Sequence, residues 1–214
     1  MSDHDHDHEG EPVPGLPERL PEGEHILWQG APRWTSLAVR AFHIRKLAIY
    51  FLALMALRAL EAARAGATAT EAVADATGLL PLALLALGLV ALLARLSAGS
   101  TLYTLTNRRL VMRFGIALPM SVNVPYRMID SAAIRQFGNG CGDLPLQLAE
   151  GQRLGYVVTW PHVRLGKGGK PGPMLRSVPD AEVVGNLLVR ALERENGPAR
   201  QGHAVAVGGS AAVA

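Results

Sequence analysis

Nineteen consecutive residues, Ala76 to Ala94 (ATGLLPLALLALGLVALLA), carry no formal charge and lie between Asp75 and Arg95. As a helix rising about 1.5 Å per residue, the run covers roughly 28 Å, against a bilayer hydrocarbon thickness of about 30 Å. Nine of the nineteen are leucines, each contributing about −0.3 to −0.6 kcal/mol at a membrane centre, which outweighs Pro81 and Gly88. No polar face recurs every three or four residues, as the surface helix of a soluble protein would require. The run therefore predicts a membrane-spanning helix; the alternative is a buried core helix.

A weaker span precedes it. Leu47 to Leu57 (LAIYFLALMAL) is apolar for eleven residues between Arg45, Lys46 and Arg58, too few to cross alone. Extension from Ile44 to Leu60 gives seventeen if the cationic side chains snorkel to the interfaces, with Tyr50 as an interfacial aromatic. The expectation is a second span, the alternative an amphipathic surface anchor. Arg33, Arg40, Arg45 and Lys46 precede this pair, and Arg95, Arg108 and Arg109 follow it, whereas the intervening segment holds only Arg58 and Arg64. By the positive-inside rule both termini are expected in the cytoplasm of a multi-pass inner (intracytoplasmic) membrane protein, with a short alanine-rich loop (EAARAGATATEAVADATG) on the far side.

Hydrophobic residues make up 49% of the 214-residue chain and charged ones 18%, which excludes disorder over most of the length. A lone Cys141 excludes an intramolecular disulfide. The first twenty-four residues carry eight carboxylates and one arginine. They read as a solvated tail with no secretory signal, in which His4, His6 and His8 could bind a divalent metal only loosely. Trp28 and Trp34, in LPEGEHILWQGAPRW (Leu20–Trp34), would anchor at the membrane interface or pack on a downstream domain.

At Ser97 leucine runs give way to short alternating segments broken by glycine and proline, the pattern of a small antiparallel sheet. Strands are predicted at Leu102–Thr106, Arg109–Phe114 and Ile116–Val124, with turns near Asn107 and Gly115, and at Tyr156–Val163, weakened by Pro161. The insertion RLGKGGKPGPMLR, between Val163 and Ser177, reads as a mobile loop. Val183, Val184, Leu187, Leu188, Ala191 and Leu192 recur at helical spacing. They predict an amphipathic helix capped by Ser177 or Asp180, with Pro179 in its first turn and Gly197-Pro198 at its end. Ala199–Ala214 reads as a low-complexity tail.

The run YTLTNRRLVMRFG (Tyr103–Gly115), followed by VPYRMIDSAAI (Val124–Ile134), resembles the bacterial pleckstrin-homology-like domains that follow membrane hairpins. With the preceding LPEGEHILWQGAPRW and the wider run MRFGIALPMSVNVPYRMIDSAA, the chain is similar, over Leu16–Glu195, to the photosynthetic complex assembly proteins of purple bacteria. The resemblance implies a seven-stranded, partly open barrel capped by the C-terminal helix. It also implies an accessory role in building the reaction centre and its antenna, and it brings no catalytic residues. The expected fold class is thus an α+β membrane protein, a two-helix transmembrane hairpin followed by a pleckstrin-homology-like barrel. The expected organisation is a disordered acidic tail (1–19), an N-terminal segment with the hairpin (20–98), the cytoplasmic domain (99–196) and a disordered tail (197–214).

Chemistry-bearing patterns are sparse. Asp130, Asp143 and Glu150 form no paired or metal-ligand spacing with His162, and Cys141 in GNGCGD has no obvious base. GKGGKPG (Gly166–Gly172) lacks the spacing of a phosphate loop. No enzymatic activity, metal or cofactor is expected. Between Gly99 and Asn196 twelve basic residues face seven acidic ones, a balance suited to an anionic membrane surface or an acidic partner. Arg108, Arg109, Arg113 and Arg127 are the candidate contacts. Expected partners are membrane lipid, reaction-centre subunits and a second copy of the chain, but not nucleic acid, for which the aromatics are too few and sit at core-facing positions. The alternative function is a membrane-anchored module binding anionic lipid or another protein.

Overall fold

The computed structural model, which describes residues 16, 18–149, 159–165, 169, 171–196 and 206–208, divides into a unit of helices and a unit that holds the strands with one long helix. One compact unit is Trp34–Leu96; the other joins Met1–Arg33 to Ser97–Ala214. The helical unit is therefore an insertion within the sheet domain.

The helices are α1 (Trp34–Arg40), α2 (Ile44–Arg64), α3 (Ala69–Thr77) and α4 (Leu80–Gly99). The segment read as a plain loop between two spans contains α3. Thr68 starts it with a capping box: its hydroxyl accepts from the Glu71 N–H, and the Glu71 carboxylate accepts from the Thr68 N–H at 2.8 Å, satisfying two N-terminal donors. Arg58 of α2 then grips Asp75 of α3 through two hydrogen bonds of 3.1 and 2.8 Å. Among the described residues one helical stretch, Ala69–Gly99, is long and apolar enough to cross a membrane, with a mean hydropathy of 2.4. Leu82, Leu84, Leu85, Leu89 and Leu92 of α4 are all exposed. In α2 the charges at Arg45, Lys46, Arg58 and Glu61 interrupt any window of comparable length. The helical unit thus provides one span-competent stretch among the described residues, and a two-helix membrane hairpin is not shown.

In the other unit β1 (Ile26–Gly30), β2 (Leu102–Thr106), β3 (Arg109–Phe114) and β4 (Met120–Pro125) form an antiparallel sheet in sequence order. A 3-10 turn, Tyr126–Met128, leads into the second sheet. That sheet has the order β7-β8-β6-β5-β9, from β5 (Ile129–Gln136), β6 (Cys141–Leu148), β7 (Val163–Leu165), β8 (Pro171–Pro179) and β9 (Ala206–Gly208). Helix α5 (Ala181–Asn196) closes the core formed by Tyr103, Leu105, Met112, Ile134, Leu144 and Leu188 together with their neighbours.

Several expectations change. The segment 20–33, expected with the helices, belongs with the sheet and not with the helical unit: β1 pairs with β2, and Trp28 packs against the core. The strand expected at Ile116–Val124 is β4 and starts at Met120, so 116–119 form its approach loop. Of Tyr156–Val163, residues 156–158 lie outside the described residues; 159–162 are not strand, and β7 begins at Val163. The glycine- and proline-rich insertion is a β7–β8 hairpin with Val163 opposite Pro173. Its prolines are tolerated because Pro171 and Pro179 stand at strand ends, while Met174 N–H beside Pro173 finds the His162 carbonyl at 2.9 Å. Pro179 therefore closes β8 rather than opening α5, and Asp180 alone intervenes. Within the tail, Ala206–Gly208 pairs in parallel with the edge of β5, which offers unpaired backbone groups irrespective of side-chain size. Of the acidic N-terminal tail expected at 1–19, residues 1–15, with the three histidines, and 17 lie outside the described residues, whereas Leu16 is buried; Gly197 and Pro198 also lie outside them.

Candidate functional site

Strand register separates the four candidate arginines. Thr106 at the end of β2 turns the chain: its hydroxyl accepts from the N–H groups of Arg108 and Arg109 at 3.1 and 3.0 Å and donates to the Arg109 carbonyl. This side chain-to-backbone pattern fixes a tight turn. Asn107 in that turn binds back to the N-terminal segment, accepting from His25 N–H at 3.0 Å and donating to the Gly23 carbonyl at 2.9 Å. The Arg109 Nε donates to the Glu24 carboxylate at 2.7 Å, and that carboxylate side chain is only 3% exposed. Arg109 is thereby a tether for the segment before β1. Arg108 and Arg127 are exposed, and the Tyr126 N–H donates to the Arg108 carbonyl at 3.1 Å, bringing their two turns together. Arg108, Arg109 and Arg127 thus share one end of the first sheet. Arg113 stands opposite Leu102 at the other end, about 17 Å away by strand rise.

The Arg113 end is also where the chain leaves and re-enters this unit. Gly30 of β1 pairs with Tyr103, and Leu102 begins β2 directly after α4. A buried polar chain runs inward from there. Arg176 N–H donates to the Tyr103 hydroxyl at 3.1 Å, so the hydroxyl proton is directed to His162 Nδ1 at 2.6 Å. Nε2–H then donates to Thr101 Oγ1 at 3.1 Å, and the Thr101 hydroxyl donates to the Ser97 carbonyl at 2.6 Å. A neutral histidine with its proton on Nε2 satisfies every member. Burial, reinforced by the nearby Arg176 charge, lowers His162 to about 3, while burial pushes the Tyr103 phenol well above its ordinary range. The arrangement fastens the turn after α4 to the core.

Cys141 is buried, and desolvation raises its thiol pKa, which works against thiolate chemistry. Among the described residues no group of three His, Cys, Asp or Glu side chains is placed to hold a metal. Sequence reasoning missed Glu24 as the partner of Arg109 and the Thr101–His162–Tyr103 chain. The first pair is separated by 85 residues and the second set spans 61, so neither leaves a local signal.

Two sheets linked through a short turn and closed by one C-terminal helix define a pleckstrin-homology class of domain. The chain belongs to the bacterial PH domain family, whose model matches residues 42–192 and thus includes helices α2 to α4. It is 38% identical over 194 residues to a Rhodobacter capsulatus protein called "Uncharacterized 23.7 kDa protein in puhA 5'region", with 90% of each chain covered. No solved structure matches the chain.

Proposed function

We propose that the chain is a non-catalytic, membrane-bound assembly factor for the photosynthetic reaction centre and its antenna. The observation that carries this reading is the near-full-length relative whose printed name places it beside puhA, a reaction-centre gene; the family match supports a binding module. In this proposal α4 spans the bilayer and α2 forms the second span. The Arg58–Asp75 pair mutually compensates the charges that would otherwise burden the far interface. Both termini face the cytoplasm. Confinement to the membrane where subunits insert raises the effective concentration of factor and client without any new contact.

The cluster of Arg108 and Arg127 lies at the sheet end away from the chain's connections to α1 and α4, so it is offered to an acidic surface of a reaction-centre subunit. Full-length tagged protein purified in mild detergent from photosynthetically grown cells is expected to bring down reaction-centre subunits. The double substitution Arg108→Glu and Arg127→Glu is expected to reduce that recovery at least several-fold. Equal recovery by both forms would overturn the assignment of this surface, and absence of reaction-centre subunits from both would overturn the function. A second reading, capture of anionic lipid, is favoured by the domain's twelve basic against seven acidic residues and predicts that anionic lipid co-purifies with the full chain and is depleted in the same double variant.

A further inference from the structure

The loop before β4 reads in sequence as strand (Ile116–Val124), yet the structure leaves its apolar residues outside the core. Ile116 and Met120 are exposed, and Leu118 is 78% exposed. The loop is nonetheless built. Phe114 pairs with Met120 across its base, and Gly115 adopts φ +120 where an added Cβ would collide with the Leu118 carbonyl, so only glycine closes this tight apolar tip.

Its position follows from register within the sheet domain. Arg113 is opposite Leu102, so residues 115–119 project about 10 Å beyond the start of β2. The same end carries Trp160, 45% exposed. Two residues later His162 bonds Thr101 and lies 5.1 Å from the Phe114 ring, centroid to centroid. Within the sheet domain the apolar tip and Arg113 thus stand at the same end as Thr101 and Leu102, with Trp160 two residues before the histidine that bonds Thr101. Apolar side chains with an amphipathic aromatic and a nearby cation match the boundary between headgroups and acyl chains.

We infer that the Gly115–Met120 tip is a lipid-contacting surface that dips into the bilayer interface. The inference rests on the membrane anchoring proposed above. It divides the basic residues by role: Arg113 meets headgroups, while Arg108 and Arg127 face away.

Three single-cysteine forms of the full chain, Leu118→Cys, Arg108→Cys and Leu85→Cys, each on a Cys141→Ala background, would be labelled with an environment-sensitive fluorophore. They would then be reconstituted into phosphatidylcholine–phosphatidylglycerol vesicles containing acyl-chain spin-labelled lipid. Strong quenching is expected at positions 85 and 118, with that at 118 at least threefold greater than at 108. Met120→Cys should reproduce the result for 118. Quenching at 85 with none at 118 or 120 overturns the tip inference and leaves the anchor standing; no quenching at 85 overturns the anchor itself. Self-quenching between labelled copies at 118 without lipid quenching would assign the tip to a second copy of the chain and overturn the lipid assignment.

Discussion

His162 shows how one side chain can make a fold acid-sensitive. Its ordinary value of 6.5 falls to about 3 in the folded chain, chiefly through burial. Between those values the unfolded chain binds a proton that the folded chain refuses. The stabilising contribution is therefore complete above about pH 6.5 and is lost as pH falls toward 3, at up to about 1.4 kcal/mol per pH unit. Near-UV circular dichroism of His162→Phe in detergent is expected to show a shallower dependence of stability on pH over that window. Stability at neutral pH should fall by about 1–3 kcal/mol, because Tyr103 and Thr101 lose a buried partner. A slope equal to that of the unsubstituted chain would place the acid sensitivity elsewhere. At the other end of the sheet, Glu24→Ala leaves the Arg109 guanidinium without its 2.7 Å partner. Its cost should be about 1–3 kcal/mol in chemical denaturation, with faster proteolysis of the segment before β1; no change in either measurement would mean that Asn107 alone holds that segment.

Among the elements, α5 separates periodicity from packing. The apolar stripe read from spacing included Val183, which is 60% exposed, while Ala181, Val184, Leu188 and Ala191 are buried. The true face passes through Gly185, where an added Cβ would strike Ile134. A glycine contributes nothing to an apolar count, so the stripe was displaced toward Val183. Gly185→Leu is expected to cost about 1–3 kcal/mol through overpacking, whereas Val183→Ser should change stability by less than about 0.5 kcal/mol. Melting temperatures of the two variants in detergent check the contrast, and equal shifts would refute this orientation of the helix. Strands β2 and β3 were legible to the residue because Leu102–Thr106 and Arg109–Phe114 are bounded by a polar turn and by Gly115. Strand β8 was illegible because its prolines and glycines mimic a loop until neighbouring strands place each one where a missing N–H or side chain does no harm.

For the whole molecule, the proposed topology puts the turn between α2 and α3 on the side of the membrane opposite both cytoplasmic ends. A membrane-impermeant thiol reagent applied to intact cells whose outer membrane has been permeabilised should label Ala67→Cys on a Cys141→Ala background. It should spare Arg108→Cys until the inner membrane is broken. Labelling of both before lysis, or of neither after it, would overturn the hairpin. Alkaline washing should likewise leave the full chain in the membrane pellet.

Taken alone, the amino-acid order determined the apolar helix, the change of period at Ser97, the closing amphipathic helix and the resemblance to the bacterial pleckstrin-homology domains. These depend on residues close together in the chain, whose spacing records which environment each must enter. Only the tertiary structure decided that β1 joins the sheet across a 63-residue helical unit, Trp34–Leu96, that Glu24 claims Arg109, and that Arg113 stands at the opposite end from Arg108 and Arg127. It also decided that Ile116 and Leu118 are left outside the core. Each of these outcomes depends on strand register between distant segments, where backbone pairing and burial compete and no short-range pattern records which one prevails.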